Sequence, residues 1–286
     1  MRLSHGLIIA VAGATLALAG CGGGSSDQTA GKSAEQILSV GSAQTRALTS
    51  YHVAVTAKVN ADLAAGAVSG NTGDILRQPI DLSGEGDVRQ PGDLSFDLTT
   101  TLGTIPLQMN ITKVGGGLYA SVFGQDIKID LPADAVSSVD PGELAPAIAS
   151  WMAHPIIVGN EDVDGVPTVH IRGGVDVAAL MKDVGGLAGQ LGATGKNTVT
   201  ATTTTQATDA LEKGQVDVWV GTDDLYIHRA DADVTLKGTI AAVPQVTALT
   251  LALSSRLSDF NGDVQIAAPV GARTIGVGSI AGLLGG

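Results

Sequence analysis

The sequence predicts an α+β domain built on one large antiparallel β-sheet with few helices. Apolar and polar residues alternate along many short runs, the period of strands that have one dry face and one wet face. Glycine supplies 39 of the 286 residues, enough for many tight turns. Aromatic residues make up only 3% of the chain, so the core must consist mainly of aliphatic side chains.

A helix and a strand are the first predicted elements. Residues 33–49 favour a helix, with Ser33 as its N-cap and Gln36 three residues later as in a capping box. From Tyr51 to Asn60 the apolar period changes to two, which indicates a half-buried strand. Similar alternation predicts more strands, joined through Gly-rich turns at 90–93 and 115–117, in residues 94–98, 105–112 and 127–131.

Two helices are predicted to interrupt the sheet. The first opens at Pro141, ends at His154-Pro155, and has an apolar face of Leu144, Ile148, Trp151 and Met152. Asp176 caps the second, whose broad apolar face holds Val177, Leu180, Met181, Val184, Leu187 and Leu191.

A hairpin with its turn at 162–165 lies between these helices, and the Thr-rich stretch 198–208 reads as a surface loop. Further strands are predicted around 216–220, 225–234, 246–257 and 264–266, which brings the sheet to roughly nine to eleven strands.

The charge and cysteine content exclude several kinds of protein. The 16 basic and 28 acidic residues give a net charge of −12, with no basic cluster, so nucleic acid is not expected as a partner. The few aromatic residues also disfavour surfaces that stack sugars or bases. A single Cys excludes a disulfide framework and any site with several thiolate ligands.

The N-terminal residues indicate an exported lipoprotein. An uncharged run from Gly6 to Ala19 suits the apolar region of a signal peptide and is too short to span a bilayer comfortably. It ends in Leu18-Ala19-Gly20-Cys21, which resembles the lipobox in which the Cys carries a diacylglyceryl group and becomes the first residue. The alternative is an ordinary signal peptide with an incidental or buried thiol.

We therefore predict a signal peptide over residues 1–20, a lipid-attachment site at Cys21, and a flexible Gly/Ser tether over 21–34. One domain over 35–270 and an apolar Gly-rich tail over 271–286 complete the chain. The predicted location is the extracytoplasmic face of the cell membrane.

No familiar catalytic or cofactor motif is present: there is no Gly-x-Ser-x-Gly elbow, His-Glu-x-x-His, Walker loop or dinucleotide fingerprint. We therefore predict no enzyme activity, catalytic residue, cofactor or metal. His52, His170 and His228 fall beside polar neighbours in strand patterns and are predicted to be exposed. Trp151 and Trp219 are either core residues or ligand contacts.

Several motifs follow the lipobox in a fixed order. They are Leu48–Val53, Gly84–Val88, Val114–Tyr119, Asp140-Pro141, Glu161–Thr168, Val216–Val220 and Leu257–Pro269. In this order, over essentially all of residues 33–269, they resemble the mycobacterial LppX/LprA/LprF/LprG-type lipoproteins, which are LolA-like lipid carriers. The resemblance implies a strongly curved antiparallel half-barrel, with helices packed on its concave side around an apolar cavity that holds acyl chains.

The predicted function is that of a membrane-anchored lipoprotein that binds lipid or lipoglycan acyl chains and carries them across the cell envelope, with a membrane exporter as a candidate partner. The predicted cavity residues are Leu144, Ile148, Trp151, Met152, Leu180, Met181, Val184, Leu187, Val53, Val55, Leu107 and Met109. Alternation shows which strand residues share a face but leaves open which face is concave.

Two other functions stay open. One is a structural or regulatory envelope lipoprotein that has a fully packed core and contacts a protein partner. The other, an enzyme acting on lipid or peptidoglycan, rests only on unassigned Asp and His residues.

Overall fold

The structure is a computed structural model that describes residues 27–64, 78–102, 105–122, 124–130, 141–190, 201–238 and 246–276. The helices in these ranges are α1 (Ala34–Arg46), α2 (Leu144–Ser150), α3 (Val177–Gln190) and α4 (Ala201–Asp209), with a 3-10 turn at Pro141–Glu143. The strands are β1 (Ser50–Leu63), β2 (Ile80–Arg89), β3 (Asp93–Leu102), β4 (Ile105–Val114), β5 (Gly117–Val122), β6 (Gln125–Asp130), β7 (Met152–Val163), β8 (Val166–Val175), β9 (Leu211–Gly221), β10 (Ile227–Lys237), β11 (Val246–Ser258) and β12 (Arg273–Gly276).

The described strands form one open, curved sheet of twelve strands in the order β12-β6-β5-β4-β3-β2-β1-β11-β10-β9-β8-β7. Neighbouring strands are antiparallel, except that β12 pairs in parallel with β6. The predicted α+β fold on a large antiparallel sheet is therefore confirmed.

Helices α1 and α2 pack on one face of the sheet, which we call the inner face. Strand β10 accommodates α2 because its inner-face residues Ala230 and Ala232 are small, and both are fully buried. Helix α1 begins with the predicted capping box of Ser33 and Gln36 and buries Ile37 completely.

The two ends of the sheet differ in their connections. At one end, the turns at 164–165, 222–224 and 259–262 lie close to the first described residues, because the Gln28 backbone N–H donates to the Thr222 carbonyl at 2.7 Å. We call this the proximal end. At the distal end, β1 finishes at Leu63, β2 begins at Ile80, and β10 finishes at Lys237.

The first core helix is shorter than predicted. Helix α2 ends at Ser150, and Met152 is the first residue of β7, where it pairs with Val175 of β8. His154 and Pro155 lie in a bulge of β7 and do not terminate a helix; His154 has a positive φ of 52°. Pairing with β8 therefore outweighs the helical spacing of the apolar residues.

Three other assignments differ from the prediction. The Thr-rich stretch holds α4 instead of a loop, because packing buries Ala207 completely and contact with α3 offsets the low helix propensity of Thr. Residues 264–266 form no strand; the Val264 carbonyl instead accepts from the Arg89 side chain at 3.3 Å. Part of the predicted tail, residues 273–276, forms β12.

We predict that Gly86→Ala destabilises the sheet by about 1–3 kcal/mol, because overpacking forces backbone to move. A Cβ on Gly86 would lie 2.1 Å from the Ser95 carbonyl oxygen of β3. Gly174→Ala is the matched control, since its nearest neighbour would be 3.9 Å away. Urea unfolding measures both variants, and equal free energies of unfolding would contradict the prediction.

Candidate functional site

The inner face is tightly packed at the proximal end. Val53 on β1, Val88 on β2 and Leu94 on β3 have at most 1% of their surface exposed, and Leu257 on β11 has 3%. Strand register pairs Val53 with Leu257 and Val88 with Leu94, at two adjacent inner-face levels near the proximal end. They belong to the apolar core that α1 and α2 cover.

Towards the distal end, inner-face residues of the same strands become partly exposed. Register places them in one continuous aliphatic surface across five strands: Ala57, Val59, Leu82, Leu98, Leu107, Met109, Leu249, Leu251 and Leu253. Ile80, at the distal start of β2, is 38% exposed. We call this surface the distal apolar surface. The side chains in this set are aliphatic, and the backbone polar groups beneath them are paired in the sheet. Thr100 of β3 lies in register between Leu82 and Leu107, and its hydroxyl donates to the Asp81 carbonyl.

On β11, the change from packed to open surface falls between two successive inner-face residues. Ser255 is fully buried opposite Val55, whereas Leu253 is partly exposed opposite Ala57. The Ser255 hydroxyl has no hydrogen-bond partner among the described residues. On β1 and β11 the apolar surface is therefore closed by packing at this level, whereas Leu98 and Met109, in register with Val55 across β2, stay partly exposed.

The predicted cavity residues divide into three groups. Five are buried in the packed core: Val53, Val55, Ile148, Trp151 and Leu180. Leu144, Met152 and Met181 are partly buried against that core, whereas Leu107 and Met109 lie on the distal apolar surface. The side chains of Val184 and Leu187, and the whole of Cys21, are outside the described residues.

A shallow depression of about 660 Å³ lies beside Met109, between β3, β4 and β5. Its lining includes Asp97, Gln108 and Asn110, which project from the outer face of the sheet. Because this lining mixes polar groups with Leu98, Pro106 and Met109, it suits an acyl chain less well than the aliphatic inner face, where we place the candidate apolar site.

The prediction that His170 and His228 are exposed is wrong. His170 on β8 is only 3% exposed, because its ring stacks on Trp219 at 4.4 Å between centroids. His228 is also buried, with Nε2 lying 3.0 Å from Asp224 Oδ2 and its ring edge-on to Phe260. His52 remains a half-buried outer-face residue and contacts Asp87 at 2.8 Å.

His170 belongs to a polar network on the outer face of β7, β8 and β9. Its Nδ1 lies 2.8 Å from Glu161 Oε1, and its Nε2 lies 2.6 Å from Asp217 Oδ1. Trp219 donates its indole N–H to Glu161 Oε2 at 2.8 Å. The Arg229 guanidinium lies over the Trp219 ring, 4.6 Å from the centroid of that ring.

The carboxylates of this network are stabilised in their ionised form. Burial alone would raise the pKa of Asp217, but hydrogen bonds from Gln215, Arg172 and His170 outweigh it and lower the pKa. Hydrogen bonds from Trp219 and then His170 lower the pKa of Glu161. Because the groups satisfy one another, the arrangement joins β7, β8 and β9 through side chains on the outer face.

The sequence contains a weak signal for this network. Polar residues two apart on one strand, such as His170 and Arg172, share a face, as do Asp217 and Trp219 on β9. Contact between these β8 and β9 residues depends on the register of the two strands, which are separated in sequence by α3 and α4. A local sequence pattern does not determine that register.

The described ranges show neither metal-binding clusters nor membrane-spanning helices. They contain no cluster of three or more His, Cys, Asp or Glu side chains able to hold a metal ion. No helix within them is long and apolar enough to cross a bilayer.

The fold is similar to solved lipoprotein structures. LprF from Mycobacterium bovis matches with 17% identity and a TM-score of 0.48, covering 83% of this chain and 97% of that one. The Mycobacterium tuberculosis lipoprotein LppX matches with 16% identity and a TM-score of 0.45, covering 82% and 99%. A LolA superfamily protein from Nitrosomonas europaea matches with 12% identity and a TM-score of 0.23, covering 82% and 95%.

LprF and LppX are of the lipoprotein type that the sequence resembles. No protein-family model and no curated protein matches the chain. What LprF and LppX bind is a property of those proteins, and the ligand of this chain must be argued from its own residues.

We predict that Asp217→Asn destabilises the domain at neutral pH by about 1.5–3 kcal/mol, the range for hydrogen bonds to a charged group. Because folding lowers the Asp217 pKa below 3.8, its stabilisation is present above that pH and lost as pH falls through the lower folded value. Denaturant unfolding between neutral pH and pH about 2 should therefore show a smaller acid loss in the variant. Asp97→Asn, on the exposed outer face of β3, is the control. Identical acid profiles for Asp217→Asn and wild type would refute the assignment.

Proposed function

We propose that this chain is a membrane-anchored lipoprotein that binds lipid or lipoglycan acyl chains on the inner face of its sheet and carries them across the cell envelope. The observation that carries the proposal is the continuous distal apolar surface, which is partly exposed beside a fully packed proximal core. Contiguous exposed apolar surface in a soluble domain is characteristic of a binding site.

Energetics favour an acyl chain as the occupant. Leaving a membrane exposes a chain of about sixteen carbons at ~0.8 kcal/mol per CH₂, a barrier on the order of 12 kcal/mol. An aliphatic surface with its backbone polar groups already paired can cover the chain without leaving a polar group unpaired. The distal parts of β1, β2, β4 and β11 provide both the aliphatic side chains and the paired backbone.

The arrangement of the buried polar side chains fits a binding protein better than an enzyme. The buried carboxylate and imidazole of Asp217 and His170 lie on the outer face and are engaged with Glu161, Arg172 and Gln215. The network is thus separated from the inner face by the sheet itself.

A second candidate is a structural or regulatory envelope module that contacts a protein partner. It is favoured by the complete burial of Val53 and Ile148, two predicted cavity residues that pack as ordinary core. The two functions differ in whether the distal apolar surface takes up lipid.

We predict that Ala57→Trp blocks acyl-chain uptake without unfolding the domain. Ala57 lies in the middle of the distal apolar surface, between Leu82 and Leu253, so an indole there occupies the space proposed for the ligand. Ala54→Trp is the matched control, because Ala54 lies on the outer face of the same strand beside Glu85. Uptake of BODIPY-labelled palmitate by residues 22–286 should fall roughly tenfold or more in Ala57→Trp only. Equal uptake by both folded variants would contradict the proposed site.

We predict that Cys21→Ala releases the folded protein from the membrane, because the proposed anchor is a lipid on this Cys. Cell fractionation measures the change, and circular dichroism of the released protein should match that of the wild type. Retention of Cys21→Ala in the membrane after a high-salt wash would show that another segment holds it.

A further inference from the structure

The position of the N-terminal segment fixes the orientation of the apolar surface relative to the anchor. Residues 27–32 dock on the proximal end, where the Gln28 backbone and side chain both donate to carbonyls of the 222–224 turn. Thr29 is buried at 5% exposure, and the Asp27 carboxylate accepts from its backbone at 2.9 Å. The tether therefore leaves the domain at its proximal end.

The length of the free tether is limited. From Cys21 to Asp27 the chain spans at most about 20 Å when fully extended. Strand β10, which starts beside the docking turn at Ile227 and ends at Lys237, rises about 34 Å. With residues 27–32 docked, the domain cannot invert and direct its distal end squarely into the membrane that holds Cys21.

Exposed aliphatic side chains also lie on the edge strand β7 and at the start of β2. Ile156, Ile157 and Val158, in the middle of β7, are 62%, 47% and 47% exposed, and register through β8, β9 and β10 places Ile157 on the inner face at the level of Ser255. Ile80 marks the distal start of β2. Ile80, at the distal end of the apolar surface, suits contact with a lipid surface, into which an aliphatic side chain can insert.

We propose that the apolar site opens at the distal end and exchanges acyl chains with a lipid surface opposite the membrane that anchors the protein. This inference rests on the proposed function, and adds the direction of exchange and the surface that takes part. The occupant enters tail-first between the distal parts of β1, β2 and β11, towards the closed level of Ser255. The tether then acts as a length limit that keeps the opening away from the anchoring bilayer.

The test uses the full lipidated chain in phosphatidylcholine vesicles. Phospholipid with a self-quenched BODIPY acyl chain is placed either in the anchoring vesicles or in a second vesicle population. The native protein should remove label from the second population roughly tenfold or more faster than from its own membrane, because the short tether prevents the distal opening from turning squarely to its own membrane. Inserting about 20 Gly/Ser residues between Ser26 and Asp27 should abolish this difference, since a tether of that length reaches past the domain.

Two controls keep the outcomes distinct. The same Gly/Ser segment added after Gly286 gives equal mass without lengthening the tether, and should preserve the preference. The soluble domain, residues 22–286, reports uptake without any anchor. Failure of the soluble domain to take up BODIPY-labelled palmitate overturns the proposed function itself. Uptake by the soluble domain with equal or faster removal from the anchoring membrane by the native tether overturns the orientation alone.

Discussion

The structure depends on how the apolar inner face of one twelve-stranded sheet is covered. A sheet with one apolar face must bury it against another layer, and here the short helices α1 and α2 do so over part of its area. Where they pack, Ala230 and Ala232 allow close approach and Ile148 is completely buried. Further along the same strands, Leu251 and Leu253 remain partly exposed. The proposed ligand covers this part of the inner face, which the described helices leave partly exposed.

The outer face supplies the rigidity that such an incomplete core requires. Strand β7 is a sheet edge, and edge strands are prone to fraying and to unwanted pairing. The stack of His170, Trp219 and Arg229 and the carboxylates of Glu161 and Asp217 join β7, β8, β9 and β10 through side chains. This network stabilises the strands that support α2, so the apolar site can open at one end without loss of the fold.

Strand identity was predictable because a one-face burial pattern is local: Val53, Val55 and Ala57 alternate with polar neighbours, and β1 follows that pattern. Helix α1 was predictable for the same reason, through the cap of Ser33 and Gln36. Helix α4 and strand β12 were missed because tertiary packing and parallel pairing with β6 decide them. Burial of His170 depends on register between strands that are distant in sequence, and the position of the packed boundary at Ser255 depends on where helices end in space.

The central claim is that an acyl chain occupies the space beside the distal apolar surface. Organic-solvent extraction of the purified, non-acylated domain, followed by mass spectrometry, tests it most directly, with the Ala57→Trp domain extracted in parallel. The account predicts co-purifying lipid in the wild-type domain, near one molecule per chain, and its loss in the variant. A wild-type domain that contains no lipid and takes up none when offered would contradict the account.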